Sequence, residues 1–329
     1  MELSRFDYDL PKELVAQYPL KKRDTARLLV LNREKGTIEH RVFKDILEFL
    51  HKDDLLVLNN TKVLPARLEG NRCTKGKVEV LLIKGLASNR FKAFIKPSRV
   101  KVGEKIKFGP GRIFGVVCGK DEIAFNIHDS KGIYGLGVMP LPPYIKRKSG
   151  ESDRISYQTV YAKVPGAIAS PTAGLHFTKE LLGNIKSQGG RVAYLTLHVG
   201  VGTFRPVKVQ DITEHKMEQE YFKIPESTLR QIRRAQTLQG RIMAVGTTSL
   251  RALETYASGR KAGYTDLFIY PGYRFKMVNS LLTNFHLPRT TLFMLVCAFA
   301  GEKLIKKAYQ EAIDKNYRFY SYGDAMLIL

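Results

Sequence analysis

Leu55-Leu56-Val57-Leu58-Asn59-Asn60-Thr61-Lys62-Val63-Leu64-Pro65-Ala66-Arg67-Leu68 is the stretch at which the chain changes character. Four consecutive apolar residues, 55–58, show no polar alternation, the pattern of a strand buried on both faces. They run into a polar turn and then a further strand. From about 64 to 128, short strand-like runs succeed one another at 78–83, 91–95, 105–108, 113–118 and 123–127. Turn signals separate them: Lys75-Gly76, Ser88-Asn89 and Gly109-Pro110-Gly111. Regular short strands with Gly-rich turns and no helical period predict a small β-barrel or sandwich.

On either side of that block the texture differs. Upstream, residues 6–16 read as an extended segment followed by a short helix with Pro11 near its first turn. A hairpin is expected from 28–31, the Glu34-Lys35-Gly36 turn and 37–43, and then a helix over 44–51. Downstream, a helix over 153–162 capped by Asp153 is expected, and beyond it helix and strand alternate. Helix 178–188 leads to strand 191–198, strand 220–224 to helix 226–238, and strand 241–245 to helix 248–258. Strands at 265–270 and 281–285, helices at 290–299 and 302–315, and a last strand at 325–329 complete the series. Such alternation indicates a layered α/β domain. The predicted fold class is therefore α/β: one layered domain from both chain ends (1–62 and 150–329), with a small all-β barrel-like domain (63–149) inserted.

The chain has 329 residues and a formal net charge of +23, high for an enzyme of small molecules. The charge is uneven: residues 61–150 carry 19 Lys and Arg against 6 Asp and Glu. The most basic part thus coincides with the all-β block, and small barrels are frequent platforms for single-stranded nucleic acid. The longest apolar run, 292–300, is too short to cross a bilayer, so no membrane partner is expected. The first residues lack the apolar stretch of a secretory signal. Cys73, Cys118 and Cys297 form no CxxC pair and read as reduced, mostly buried thiols of a cytoplasmic protein.

Four polar loops stand at the ends of these elements. In Ser170-Pro171-Thr172-Ala173-Gly174-Leu175-His176-Phe177-Thr178 the backbone must turn, and Thr178 is placed to cap the helix that follows. In Leu197-His198-Val199-Gly200-Val201-Gly202-Thr203 a strand ends at a histidine, and glycines allow close approach of a ligand. In Val245-Gly246-Thr247-Thr248-Ser249-Leu250-Arg251 a buried strand passes through Gly into a helix N-terminus, a geometry suited to a carboxylate or phosphate. In Thr283-Asn284-Phe285-His286-Leu287-Pro288 polar groups border an all-apolar helix, where they would be held rigidly. His215 and Glu220 lie between the second and third loops. No HExxH or CxxC spacing joins His176, His198, His215 and Glu220, so no metal site is expected.

Taken together, these segments closely resemble the S-adenosylmethionine:tRNA ribosyltransferase-isomerase family of queuosine biosynthesis. The likeness covers nearly the whole chain: 6–16 with 27–29, Asn59-Asn60-Thr61-Lys62-Val63, 139–145, Tyr157-Gln158-Thr159-Val160-Tyr161, the four loops above, 268–273 and Tyr320-Ser321-Tyr322-Gly323-Asp324-Ala325-Met326. Glu218, Asn279 and Val138 stand where the family commonly has His, Asp and His. The resemblance implies a reaction in which the ribosyl part of S-adenosylmethionine passes to the aminomethyl group of a 7-deazaguanine at the tRNA wobble position and is isomerised. Adenine and methionine leave. S-adenosylmethionine is then a co-substrate, no further cofactor is needed, and the partner is a tRNA anticodon stem-loop.

That chemistry needs a base near the sulfonium, a donor for the leaving adenine and N–H groups for the methionine carboxylate. His176, His198 and His286 are the acid/base candidates, with Glu220 as a positioning carboxylate. Thr172, Gly200, Thr203, His215, Thr247, Thr248, Arg251 and Asn284 are candidates for substrate contact. Tyr157, Tyr161 and Phe177 are candidate platforms for the unstacked base. Lys62, Arg67, Lys75, Lys77, Arg90 and Lys92 are candidate contacts to tRNA phosphate, and a monomer or weak homodimer is expected.

Overall fold

A computed structural model describes residues 1–74, 76–200, 202 and 207–329. The chain opens with 3-10 turns at Leu3–Phe6, Lys12–Leu14 and Arg23–Thr25 and the hairpin of β1 (Arg27–Asn32) and β2 (Thr37–Val42). A 3-10 segment, Phe43–Phe49, leads to β3 (Leu55–Asn59) and the short β4 (Thr61–Val63). Six strands follow: β5 (Arg67–Arg72), β6 (Lys77–Gly85), β7 (Arg90–Lys96), β8 (Lys105–Phe108), β9 (Ile113–Gly119) and β10 (Glu122–Phe125). Next come α1 (Ser130–Gly135), α2 (Asp153–Ser156), β11 (Val164–Ala167), α3 (Lys179–Ser187) and β12 (Arg191–Leu197). The chain continues through β13 (Glu220–Lys223), α4 (Glu226–Thr237), β14 (Ile242–Val245), α5 (Thr247–Ala257) and β15 (Ala262–Thr265). It ends with β16 (Ser280–Asn284), α6 (Thr291–Ala300), α7 (Glu302–Asp314) and β17 (Ala325–Ile328).

Among the described residues, nine strands form one sheet in the order β15-β13-β12-β3-β14-β16-β17-β1-β2. Both chain ends contribute, as the alternating pattern required. Every residue of β3, β14, β16 and β17 is buried, because helices cover both faces. Phe43, Ile46, Leu181, Leu182 and Ile185 from the 3-10 segment and α3 pack on one face. Leu229, Leu253, Phe293, Ile305 and Tyr309 from α4 to α7 pack on the other. Each such side chain contributes about 1.5–3 kcal/mol on burial.

The other six strands close a barrel in the order β10-β7-β6-β5-β8-β9. Here burial alternates along each strand, as in β8, where Ile106 and Phe108 point inward and Lys105 and Lys107 outward. The barrel leaves the sheet domain through β4, which pairs with β11. It returns along 139–150, tied down by a bidentate contact in which Arg147 Nη1 and Nη2 donate to Asp153 at 2.7 and 2.8 Å. Among the described residues no helix is long and apolar enough to cross a membrane.

Three expectations need correction. The helix at 153–162 is a single turn, because the Asp153 carboxylate is taken by Arg147, Gly150 N–H and the Tyr322 hydroxyl rather than by a continuing helix. The strand expected at 265–270 lies earlier, at Ala262–Thr265, where it pairs with β13; beyond it the Leu267 carbonyl accepts from Arg251 Nε. Of the cysteines only Cys297 is buried, since Cys73 and Cys118 sit outside the barrel wall.

Candidate active site

β12, β3, β14 and β16 run parallel, so their carboxyl ends share one edge of the sheet. β3 lies between β12 on one side and β14 on the other, where the strand order reverses, the kind of switch point at which open α/β sheets bind ligands. β17 is antiparallel to β16, which brings the loop before it, 320–324, to the same edge. Gly246, at φ +86°, turns the chain from β14 straight into α5, a conformation that a side chain would strain. α5 begins at this edge with no side-chain cap on its first turn among the described residues, the situation in which helix N–H groups are left for a ligand.

A cleft opens there. Thr172, Thr247, Thr248, Asn284 and His286 all line it, together with Ser170, Thr283 and Ser321. Thr172 Oγ1 donates to Asn284 Oδ1 at 3.0 Å. The Asn284 amide nitrogen donates in turn to His176 Nε2, 3.2 Å away, and to the Tyr320 carbonyl, also at 3.2 Å. His176 Nε2 is therefore an acceptor and the imidazole is neutral. Burial, with the nearby Arg23 and Arg318 charges, pulls its pKa down to about 4. Its ring stacks on Phe43 with 4.9 Å between centroids, and its edge lines a neighbouring pocket that shares Ser321 with the cleft. Arg23 braces that pocket by donating to the carbonyls of Ile155, Gln158 and Leu175.

His286 is buried against Thr283, with Nε2 2.8 Å from Oγ1, and burial lowers its pKa to about 3. Ser170 Oγ is buried at the cleft and has no hydrogen-bond partner among the described residues, which leaves its hydroxyl to a ligand. His198 does not line the cleft. It is half-buried, its pKa lowered by burial, and its Nδ1 lies 2.8 Å from Thr61 Oγ1. Gly166 lies against the imidazole so closely that a Cβ there would meet the ring at 2.6 Å. Fully buried Asn59 connects it to the cleft: its oxygen accepts from Thr61 N and Leu197 N, and its amide donates to Thr248 Oγ1 at 3.2 Å.

A sequence profile described as "Queuosine biosynthesis protein" matches residues 3–328. The chain belongs to this family. It is 52% identical, over the whole of both chains, to the S-adenosylmethionine:tRNA ribosyltransferase-isomerase of Sulfurihydrogenibium sp. (strain YO3AOP1). It is 48% identical, again end to end, to that of Halothermothrix orenii. The crystal structure of S-adenosylmethionine tRNA ribosyltransferase from Thermotoga maritima aligns with 99% of this chain and 100% of its own, at 39% identity and a TM-score of 0.59.

The remaining candidates are dispersed. Glu220 and Arg251 form a buried ion pair beneath the edge; Glu220 also accepts from Gly200 N at 2.9 Å and so anchors the loop after His198. Glu254, one turn beyond Arg251, accepts from the N–H groups of Lys276, Met277 and Val278. His215 stands apart, its ring edge-on to Phe268 at 5.2 Å. Thr203 and Lys75 lie outside the described residues. Tyr157 and Phe177 are fully buried in the core and offer no ring face to a base, and Tyr161 packs half-buried beside Tyr194. Of the barrel cations, Arg67, Arg90 and Lys92 pair with Glu79, Glu122 and Asp121, while Lys62 and Lys77 are exposed. Asn59, Thr61, Ser170, Thr283 and Ser321 escaped the reading of roles, although each sits at a strand end or in a stretch carrying the family resemblance.

Among the described residues, no group of three or more His, Cys, Asp or Glu side chains is spaced to hold a metal ion.

Proposed function

We propose that this chain transfers the ribosyl moiety of S-adenosylmethionine to the 7-aminomethyl-7-deazaguanine at the tRNA wobble position and isomerises it, giving epoxyqueuosine-tRNA, adenine and methionine. Membership of the queuosine biosynthesis family supports the reaction. The observation that carries the site is the Thr172–Asn284–His176 relay beside the α5 N-terminus. In this reading the first-turn N–H groups at Thr247 and Thr248 take the methionine carboxylate. The sulfonium acidifies the carbon next to it, and His176 or His286, each held neutral by burial, is the group that takes that proton. Ser170 is free to hydrogen-bond the leaving adenine, and Asn59 with Thr61 aligns His198 at the rim. Glu220 acts through Gly200 as a positioning residue, with Arg251 as its partner. S-adenosylmethionine is spent as co-substrate, and no cofactor takes part.

Domain division at 62/63 and 149/150, a cytoplasmic location and a monomeric or weakly dimeric state belong to the same proposal. So does contact between the barrel cations and tRNA phosphate. Incubating the protein with S-adenosylmethionine, with tRNA carrying the deazaguanine, and with both tests the reaction. Free adenine is expected only from the complete mixture; its release from S-adenosylmethionine alone at the same rate, or its absence throughout, contradicts the proposal.

A further inference from the structure

With Tyr157 and Phe177 inside the core, an anticodon loop needs another aromatic surface, and one stands at the sheet edge nearest the barrel. His198 N donates to the Tyr221 carbonyl, and Tyr221 is in direct register with Tyr264 across β13 and β15. The three side chains therefore form one cross-strand ladder on a single face. His198 and Tyr221 stack at 23° with centroids 5.7 Å apart; Tyr221 meets Tyr264 edge-on at 5.8 Å. Tyr221 is 37% and Tyr264 47% exposed, too open for a core role.

The surroundings specify the occupant. Lys84 of the barrel reaches across to Tyr264, with Nζ 3.4 Å from the hydroxyl and 5.4 Å from the ring centroid. Lys223 lies on the same face two residues beyond Tyr221, and Arg260 donates to the Tyr264 carbonyl. Lys223, Arg260 and Lys261 are all exposed. Rings interleaved with cations match a strand of unpaired nucleotides, whose bases stack while their phosphates meet the charges. The ladder also starts at the candidate site, since His198 is joined through Thr61 and Asn59 to Thr248 in the cleft. It ends on the barrel.

We propose that His198, Tyr221 and Tyr264 form a stacking platform for unpaired anticodon-loop nucleotides that flank the base being modified. The platform rests on the functional reading above, and identifies which surface holds the loop while the barrel holds the stem.

The test is binding of a fluorescein-labelled anticodon stem-loop, with a duplex RNA of equal length as control, to the full chain and to Tyr221→Ala, Tyr264→Ala and the corresponding Phe variants. Each Ala variant is expected to weaken stem-loop binding about five- to hundredfold. Duplex binding and the salt slope stay unchanged, because every cation that meets a phosphate is still in place. The Phe variants keep wild-type affinity, and 2-aminopurine placed beside the wobble base is quenched by the wild type but not by Tyr221→Ala. Ala variants that bind the stem-loop like wild type, or that weaken loop and duplex equally, overturn the platform alone. Sedimentation showing that they only disrupt self-association overturns it too. A wild type that binds no tRNA overturns the functional reading as well.

Discussion

Lys77, Lys84, Lys92, Lys105 and Lys107 all stand exposed on the barrel wall, whereas His176, Asn284 and His286 are buried at the strand ends of the sheet. Both regions are built of strands, yet they handle polar groups in opposite ways. The barrel strands have one dry face, so every second residue is free to carry charge that water solvates. The central sheet strands are dry on both faces, so polar residues are tolerated only where the strands stop and only if hydrogen-bonded. Charge therefore collects on one region, and neutral, desolvated polar groups collect on the other.

Substitutions separate the two. The largest effect is expected from His176→Ala, which removes the imidazole aligned by Asn284: transfer slows by about 10²–10⁴-fold while tRNA affinity holds, measured by single-turnover adenine release and by RNA binding. Next is the tie between the regions. Arg147→Met strands the Asp153 carboxylate, which burial pushes up but its hydrogen bonds hold below its ordinary pKa. A loss of about 3–5 kcal/mol is expected in denaturant unfolding.

A third difference is in pH. His176 and His286 have folded pKa values of about 4 and about 3, below the unfolded value near 6.5. On acidification the unfolded chain takes up these protons first, so stability is full above about pH 6.5 and falls as pH drops toward 4. The loss is on the order of 3 kcal/mol for each histidine. Melting temperature against pH checks it, and His286→Gln should flatten the slope. The smallest effect belongs to the barrel. Neutralising Lys77 and Lys107 should leave turnover at saturating tRNA unchanged and lower the salt slope of binding by about 0.7–0.9 for each phosphate left without its cation.

Much of this division is legible in the sequence, because periodicity reports burial. Unbroken apolar runs at 55–58 and 242–245 announced two-sided strands, and alternating runs with Gly-rich turns announced the barrel. The loops around Thr172, Thr248, Asn284 and His286 were recognisable as strand-to-helix junctions, and they meet in one cleft. What stayed hidden depends on pairing across the chain. Asn59 and Thr61 read as an ordinary polar turn until β3 lies between β12 and β14. Tyr157 and Phe177 looked like platforms because an aromatic residue in a loop does not declare which way it faces. Tyr221 and Tyr264 form a ladder only once β13 and β15 are in register.

The most direct test is adenine release from S-adenosylmethionine and substrate tRNA by Asn284→Ala, whose side chain joins Thr172 to His176. Chemistry at this relay predicts a drop of about 10²-fold or more in turnover with tRNA affinity intact. Turnover equal to wild type would mean that the chemistry takes place away from this edge of the sheet.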